Sequence, residues 1–417
     1  MKRSVIFLFV LLTALVIVLP SAAQDGEGAI TVWLTGSDND ALVLQEAADV
    51  WTETSGISVT VEAVPWSDSY TRALGAVNSG EGADILMGGM SWGISLGEIG
   101  GLVELSEAFG EDLDSLLDVN NPAFVDAIIG PSGAVYGVPY SQDVYVMYYS
   151  TTALEEAGVE EVPATWEDFT ATLDALDEAG LGGAAYGWGN ASWLSFQNYL
   201  YQAGGQWYEG DCSASTINTD EALTALEYYT MLFDEYDFPA EQADPGTSFS
   251  TGERNIVISG GWHTVGIDAS FPELEGEWAI APLPAGPADT QTAFLGGRLS
   301  AIFSFSDSQD EAFAFLNWLT TPDAAQLLTE GNFEVGSLHL PPQPENGEFI
   351  QGGEMINTAV NAQLADVAGP PDCPGWEENQ SEIDLIIQSV LFEEGNFEDA
   401  LADMEDLMNA GLEEFGS

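Results

Sequence analysis

The run YGVPYSQDVYVMYYS, Tyr136 to Ser150, constrains the fold more than any other stretch of the chain. Past its start, Val144, Val146 and Tyr148 alternate with Tyr145, Met147 and Tyr149, so both faces are apolar. A strand with no water-facing side belongs in the middle of a covered sheet. Gly137-Val138-Pro139 before it makes a rigid bend, and Ser141-Gln142-Asp143 sets donors and acceptors where a core strand ordinarily has none. The chain is therefore expected to leave one lobe and enter another here, with the polar tripeptide facing a cleft. A buried strand after an ordinary polar loop is the competing possibility.

The segments on either side fit such a plan. Ile30 to Leu34 is a short apolar strand, Ala41 to Glu53 carries Leu44, Ala47, Val50 and Trp51 at helical spacing, and Ile57 to Ala63 alternates strictly. This is a βαβ unit with parallel strands. A helix over Tyr70 to Ser79 and a strand over Ala83 to Met87 extend it into a doubly wound α/β lobe. Ligands of such a sheet sit beyond the carboxyl ends of its strands, where Trp33, Trp66, Ser91 and Trp92 lie.

Further on, Thr165 and Asp168 form a capping-box variant, helices run from about Ser192 to Ala203 and from Thr219 to Glu235, and strands cover Asn255 to Ser259 and Trp278 to Pro282. LGGRLSAIFSF places Arg298 at the mouth of a second crossing strand. VGSLHLPPQP, Val335 to Pro344, reads as a third linker. Three passages imply two interleaved lobes: 29–142 with 297–337, and 143–296 with 338–417. At 417 residues, two cores are the default.

Charge excludes whole classes of function. There are 69 acidic and 5 basic residues, net −64. Two of the basic residues, Lys2 and Arg3, head an apolar run from Val5 to Leu19 that ends in Ser21-Ala22-Ala23, the pattern of a secretory signal peptide over residues 1–23. The remainder of the chain has only Arg72, Arg254 and Arg298, which leaves no basic patch for nucleic acid and no lysine for a P-loop or Schiff base. Self-repulsion on this scale is relieved by salt screening over about 8 to 10 Å, so a high-salt exterior is expected. The exported chain has two cysteines, Cys212 and Cys373, for which a disulfide or two buried thiols are both open. No cysteine stands just after the cleavage site, which argues for a periplasmic or secreted form without a lipid anchor.

Indoles in glycine-containing turns are the strongest chemical signal: Trp92 in GMSWG, Trp188 in YGWGN, Trp262 in SGGWH and Trp376 in CPGWEE. A flat ring on a loop stacks on the apolar face of a pyranose while nearby Asp, Asn, His and Arg bind its hydroxyls. Arg298 offers a five-donor fork in a chain that otherwise avoids cations; Arg72 and Arg254 read as structural. No catalytic constellation, metal-ligand spacing or cofactor motif stands out. The one enzymatic alternative is a serine hydrolase using Ser91 in a G-x-S-x-G turn, Gly89 to Gly93, with His263 or His339 downstream.

Taken together, ITVWLTG, GISVTVEAVPWSDSYTRALGAVNSGEGADILM, YGVPYSQDVYVMYYS, NIVISGGWHTVGIDASF and LGGRLSAIFSFSDSQDEAFAFLNWLTTPDAAQLL resemble, in order, the extracellular sugar-binding proteins of ABC importers, family 1, the maltose-binding-protein-like group. The resemblance implies two doubly wound α/β lobes joined by several hinge crossings, a Venus-flytrap receptor that takes an uncharged mono- or oligosaccharide and presents it, as a monomer, to an ABC permease. Binding positions implied by it are Trp33, Trp66, Ser91, Trp92, Asp143, Asn190, Trp193, Trp262 and Arg298. Composition adds Trp188, His263 and Trp376. No cofactor and no catalytic residue is expected.

Overall fold

A computed structural model describes residues 28–393 and 395–415. The signal peptide expected over residues 1–23 lies outside the described residues. Apolar alternation builds strand β1 (Ala29–Thr35) and strand β2 (Ser58–Val64), paired in parallel with Ile30 opposite Val59 and Val32 opposite Val61. Between them runs the helix Asp38–Ser55. Ser37 and Asp40 cap its start reciprocally, and Gly56 in the left-handed region ends it. Strand β3 (Ile85–Gly89) joins the other side of β1, again in parallel.

Strand β4 (Val138–Ser150) is the spine of the molecule, and it begins earlier than the apolar run alone suggests. Pro139 enters the strand rather than turning it, because the register shifts between Pro139 and Ser141, and a bulge tolerates the missing amide. Ser141, Gln142 and Asp143 thus lie inside a 13-residue strand, not in a loop ahead of it. Its first half, Val138 to Val144, pairs antiparallel with strand β8 (Ala293–Ile302). Its second half pairs with strand β6 (Ile256–Gly260) and strand β7 (Trp278–Ala281).

With strand β5 (Ala184–Tyr186) beside β6, the order is β2-β1-β3-β8-β4-β6-β5; β7 pairs with β4, and a short β9 (Val367–Ala368) pairs with β8. Among the described residues, β4 and β8 are therefore the only strands shared by both halves of this mixed sheet. Where they cross, Gly297 has φ +141°, and a side chain there would run into the Ser141 carbonyl. The third passage is tied to the same point. Gln142 donates its backbone amide to the Leu340 carbonyl (3.0 Å) and its Nε2 to the Pro341 carbonyl (2.9 Å).

Each half has its own core, as two lobes require. In the first, Val32, Leu34, Leu44, Ile302 and Phe315 fill one face of the sheet, and Leu86, Leu299, Phe303 and Tyr136 fill the other. The second half buries Tyr145, Tyr148, Tyr186, Phe196, Trp207, Tyr229 and Trp376 in one aromatic-rich cluster. Cys212 and Cys373 are bonded to each other across the second half. Arg72 pairs with Glu62 (2.8 Å) and Arg254 with Asp237 (3.6 Å), the structural roles expected of them. Among the described residues, no helix is long and apolar enough to cross a membrane.

Candidate functional site

The antiparallel crossing of β4 and β8 leaves a cavity of about 650 Å³ between the halves. Its floor is the crossing itself, with Tyr140 to Tyr145 from β4 and Phe294 and Gly296 to Arg298 from β8. One wall carries Asp40, Trp66 and Met90 to Trp92 from loops and helix starts at the carboxyl ends of β1, β2 and β3. The opposite wall carries Trp188, Trp193 and Trp262, and the third passage and C-terminal helices add His339, Pro370, Glu377 and Gln380.

Local geometry explains how each ring arrives. Trp66 opens the helix Trp66–Ser79 directly after Pro65, and its ring meets Trp92 edge-on at 5.7 Å. Trp188 sits in a loop held by the Tyr145 hydroxyl, which donates to the Trp188 carbonyl (3.0 Å). Trp262 lies in the single-turn helix Gly261–Thr264 and folds its ring over Gly260, where no side chain would fit. Trp188 and Trp262 then meet edge-on at 6.3 Å, and Trp193 meets Phe294 at 5.9 Å. Both walls therefore present indole pairs.

The polar groups sit at the crossing. Arg298 lies opposite Gly89 of β3 and Ser141 of β4. Its Nε donates to the Thr35 carbonyl (2.5 Å), Nη1 reaches the Ser141 hydroxyl (3.4 Å), and Nη2 stands 3.6 Å from Asp40. Asp143 Oδ1 accepts from its own neighbour's amide, Val144 (2.9 Å), and from Gly261 (3.0 Å), so one carboxyl ties the strand to the Trp262 turn. Burial pushes the Asp143 carboxyl up to about 7 against these bonds. Glu377 is pushed up to about 7 by burial as well. His339 is driven down to about 3, mainly by burial with the Arg298 charge adding to it, and is neutral.

Eight of the expected positions line this cavity: Trp66, Ser91, Trp92, Asp143, Trp188, Trp193, Trp262 and Arg298. Four do not. Alternation along β1 turns Leu34 toward the cavity and Trp33 away, where its indole donates to Glu62 (3.0 Å) beneath Arg72. Asn190 spends its amide on the carbonyls of Pro239 (3.2 Å) and Glu241 (2.8 Å). His263 stands 3.6 Å from Asp244 behind the turn. Trp376 is only 1% exposed, packed on Trp193 and Trp207 in the core.

In their place stand residues not expected to bind the guest: Glu377 rather than Trp376, His339 rather than His263, and Asp40, Tyr145 and Phe294. Glu377 comes directly after Trp376 in the first turn of the helix Trp376–Phe392, about 100° around it, so CPGWEE holds the signal one residue away. Ser91 has ordinary right-handed backbone (φ −67°, ψ −19°) rather than the strained turn of a nucleophile elbow. Among the described residues it makes no hydrogen bond to either histidine.

The buried acids give the molecule a pH signature. Asp143 and Glu377 are raised to about 7, Asp372 and Asp384 to about 6, all chiefly by burial. A carboxyl whose folded pKa exceeds its unfolded value stabilises the fold at low pH and loses that contribution as pH rises through the folded value. His339 opposes this between about 3 and 6.5, and Asp244, held down to about 2 by His263, weakens the fold only below its unfolded value of 3.8. Four groups outweigh one across the window from pH 4 to 7. The unliganded melting temperature should therefore be higher near about pH 5 than about pH 8. Asp143→Asn should flatten the slope in a thermal scan, and a higher melting temperature at the alkaline end would contradict the assignment.

Two lobes, three crossing segments and an aromatic cleft shared between the halves define a two-lobed binding receptor. The chain belongs to the family of bacterial extracellular solute-binding proteins, whose model matches residues 36–326. It is similar to a diacetylchitobiose-binding protein of Streptomyces coelicolor at 26% identity, over 89% of this chain and 87% of that one. Among solved structures it is similar to a cyclic α-maltosyl-1,6-maltose-binding protein of Arthrobacter globiformis (TM-score 0.76, 27% identity, 93% of this chain and 99% of that one). It also shares the fold of the sugar-binding protein MalE of Xanthomonas citri (TM-score 0.79, 20% identity, 92% and 97%). The protein is thus a solute-binding protein and not an enzyme, and the serine-hydrolase alternative falls.

Proposed function

We propose that the protein is an extracytoplasmic receptor that captures a mono- or oligosaccharide between its lobes and delivers it to an ABC-type permease. The observation that carries this is the set of five indoles, Trp66, Trp92, Trp188, Trp193 and Trp262, facing one cavity from both sides. Flat apolar rings suit the C–H faces of pyranoses, and Asp143, Ser91 and Arg298 among them supply hydrogen bonds to hydroxyls. Relatives named for chitobiose and maltose derivatives support the same class of guest. The permease and an exported, monomeric form rest on the family resemblance.

The lobes are bounded as 29–142 with 297–337 and 143–296 with 338–417, hinged where β4 and β8 exchange partners. A sugar seated on one wall gains contacts to the other only on closure, and that differential drives the closing. In a thermal-shift screen of mono- to tetrasaccharides, at least one should raise the melting temperature in proportion to the logarithm of its concentration. A flat response to every saccharide would remove the proposal.

The salt under which the screen is run matters. With net charge −64 and each arginine of the described residues already beside an acid, long-range repulsion is uncompensated. The proposed habitat is saline, and the melting temperature should climb steadily from low to molar salt as screening shortens the Debye length from about 30 to 3 Å. A steady fall would reject it.

A further inference from the structure

The cavity's charges do not balance. Arg298 is its one cationic side chain, and its guanidinium is committed to the Thr35 carbonyl, Ser141 and Asp40. His339 is neutral. Asp143 feels the Arg298 charge only as the weakest of the influences on it, and Glu377 has no counter-charge at all. Asp143 has two backbone amides on one oxygen, whereas the donors near Glu377 are all neutral side chains. Ser91, Gln380 and Trp92 offer its carboxyl hydrogen bonds that favour the charged form, yet its Oε1 is buried without a hydrogen-bond partner among the described residues. The adjacent Glu378 adds further negative charge and is itself held by the Tyr70 hydroxyl (3.2 Å).

We infer that the guest carries a basic nitrogen that seats on the Glu377 carboxylate beside Trp92, so that the substrate class is an amino-bearing saccharide rather than an uncharged one. This rests on the carbohydrate reading of the same cleft. Closing the lobes over a neutral sugar replaces water on Glu377 with hydroxyl donors at best, and so either leaves a buried carboxylate without a counter-charge or forces it to take up a proton. A protonated amine does neither. It supplies the missing donor to Oε1 as a charge-assisted bond. The first turn of the helix Trp376–Phe392 helps keep Glu377 ionised beside it. Sugar acids and sugar phosphates are disfavoured twice, by these two carboxyls and by the field of the whole chain.

The test is calorimetric titration of the purified full chain at about pH 6, where the sugar amine is fully protonated and Glu377 still holds its proton, in two buffers of different ionisation enthalpy. The probes are glucosamine and its β-1,4-linked disaccharide against glucose and cellobiose, which differ from them only at the 2-position. The amino forms should bind about tenfold more tightly or better, with net proton release as Glu377 loses its proton to the buffer on pairing with the incoming cation. In Glu377→Gln the preference and the proton release should both vanish, and Glu377→Asp should restore part of each. Should Glu377→Gln fail to fold by circular dichroism, the buffer dependence of the wild type decides alone. Equal or tighter binding of the neutral sugars, or proton uptake with the amino forms, overturns the inference and leaves the carbohydrate reading standing. Binding of none of the probes and of none of the screened saccharides overturns both.

Discussion

Removing the Cys212–Cys373 bridge lowers the unfolding free energy by about 5 kcal/mol, the loop-entropy value for a closure spanning 161 residues. The bridge does more than shorten the unfolded chain. Cys373 stands three residues before Trp376, whose amide donates to the Cys373 carbonyl (3.2 Å), and this short turn starts the helix that brings Glu377 and Gln380 to the cavity. Losing the bridge should therefore weaken ligand binding together with stability. The direct comparison is urea unfolding of wild type and the Cys212→Ala/Cys373→Ala double variant, monitored by tryptophan fluorescence, with affinity measured on both. A stability change under about 1 kcal/mol would mean that the denatured chain gains little freedom and that the loop-closure account fails.

Replacing Trp262 by alanine weakens saccharide binding by about 2 kcal/mol or more, roughly 30-fold in Kd, while leaving the fold intact. The fold survives because the ring is only half-buried at the edge of the second-half core, meeting Tyr145 at 6.4 Å on one side and the cavity ring Trp188 at 6.3 Å on the other. The turn beneath it is fixed independently by the Asp143 bond to the Gly261 amide and by the Tyr148 hydroxyl on the Gly260 carbonyl (2.7 Å). Binding suffers because removal of one indole takes a flat apolar wall from the guest and unseats the edge-on Trp188. Titration of the variant with the best sugar of the screen, beside its melting curve without ligand, separates the two effects. Wild-type affinity would place the guest elsewhere in the cleft.

Legibility in the sequence differs by level. Strand alternation at Ile57 to Ala63 and helical spacing at Leu44, Ala47 and Trp51 mark the βαβ start, because burial of one face writes its period into the sequence. The two-sided apolar run in Tyr136 to Ser150 marks the spine but not where it begins. Pro139 looks like a turn until the bulge that accommodates it is known. At the site, residue type is a better guide than position. Indoles converge on the cavity in five cases, whereas Trp376, in a glycine turn like three of them, packs into the core and leaves its neighbour Glu377 facing the cleft.

The sequence by itself determined the alternating α/β pattern, the extreme negative charge and the concentration of indoles in turns, since each is a property of local spacing or of composition. Only the tertiary structure decided which side of each turn faces inward, that Arg298 is already neutralised by Asp40, and that Glu377 lies buried without a partner for its Oε1 among the described residues. Those facts depend on contacts between residues as far apart as Asp40 and Arg298, or Ser91 and Glu377. No local period encodes such contacts, because they exist only once the two half-sheets have met along β4 and β8.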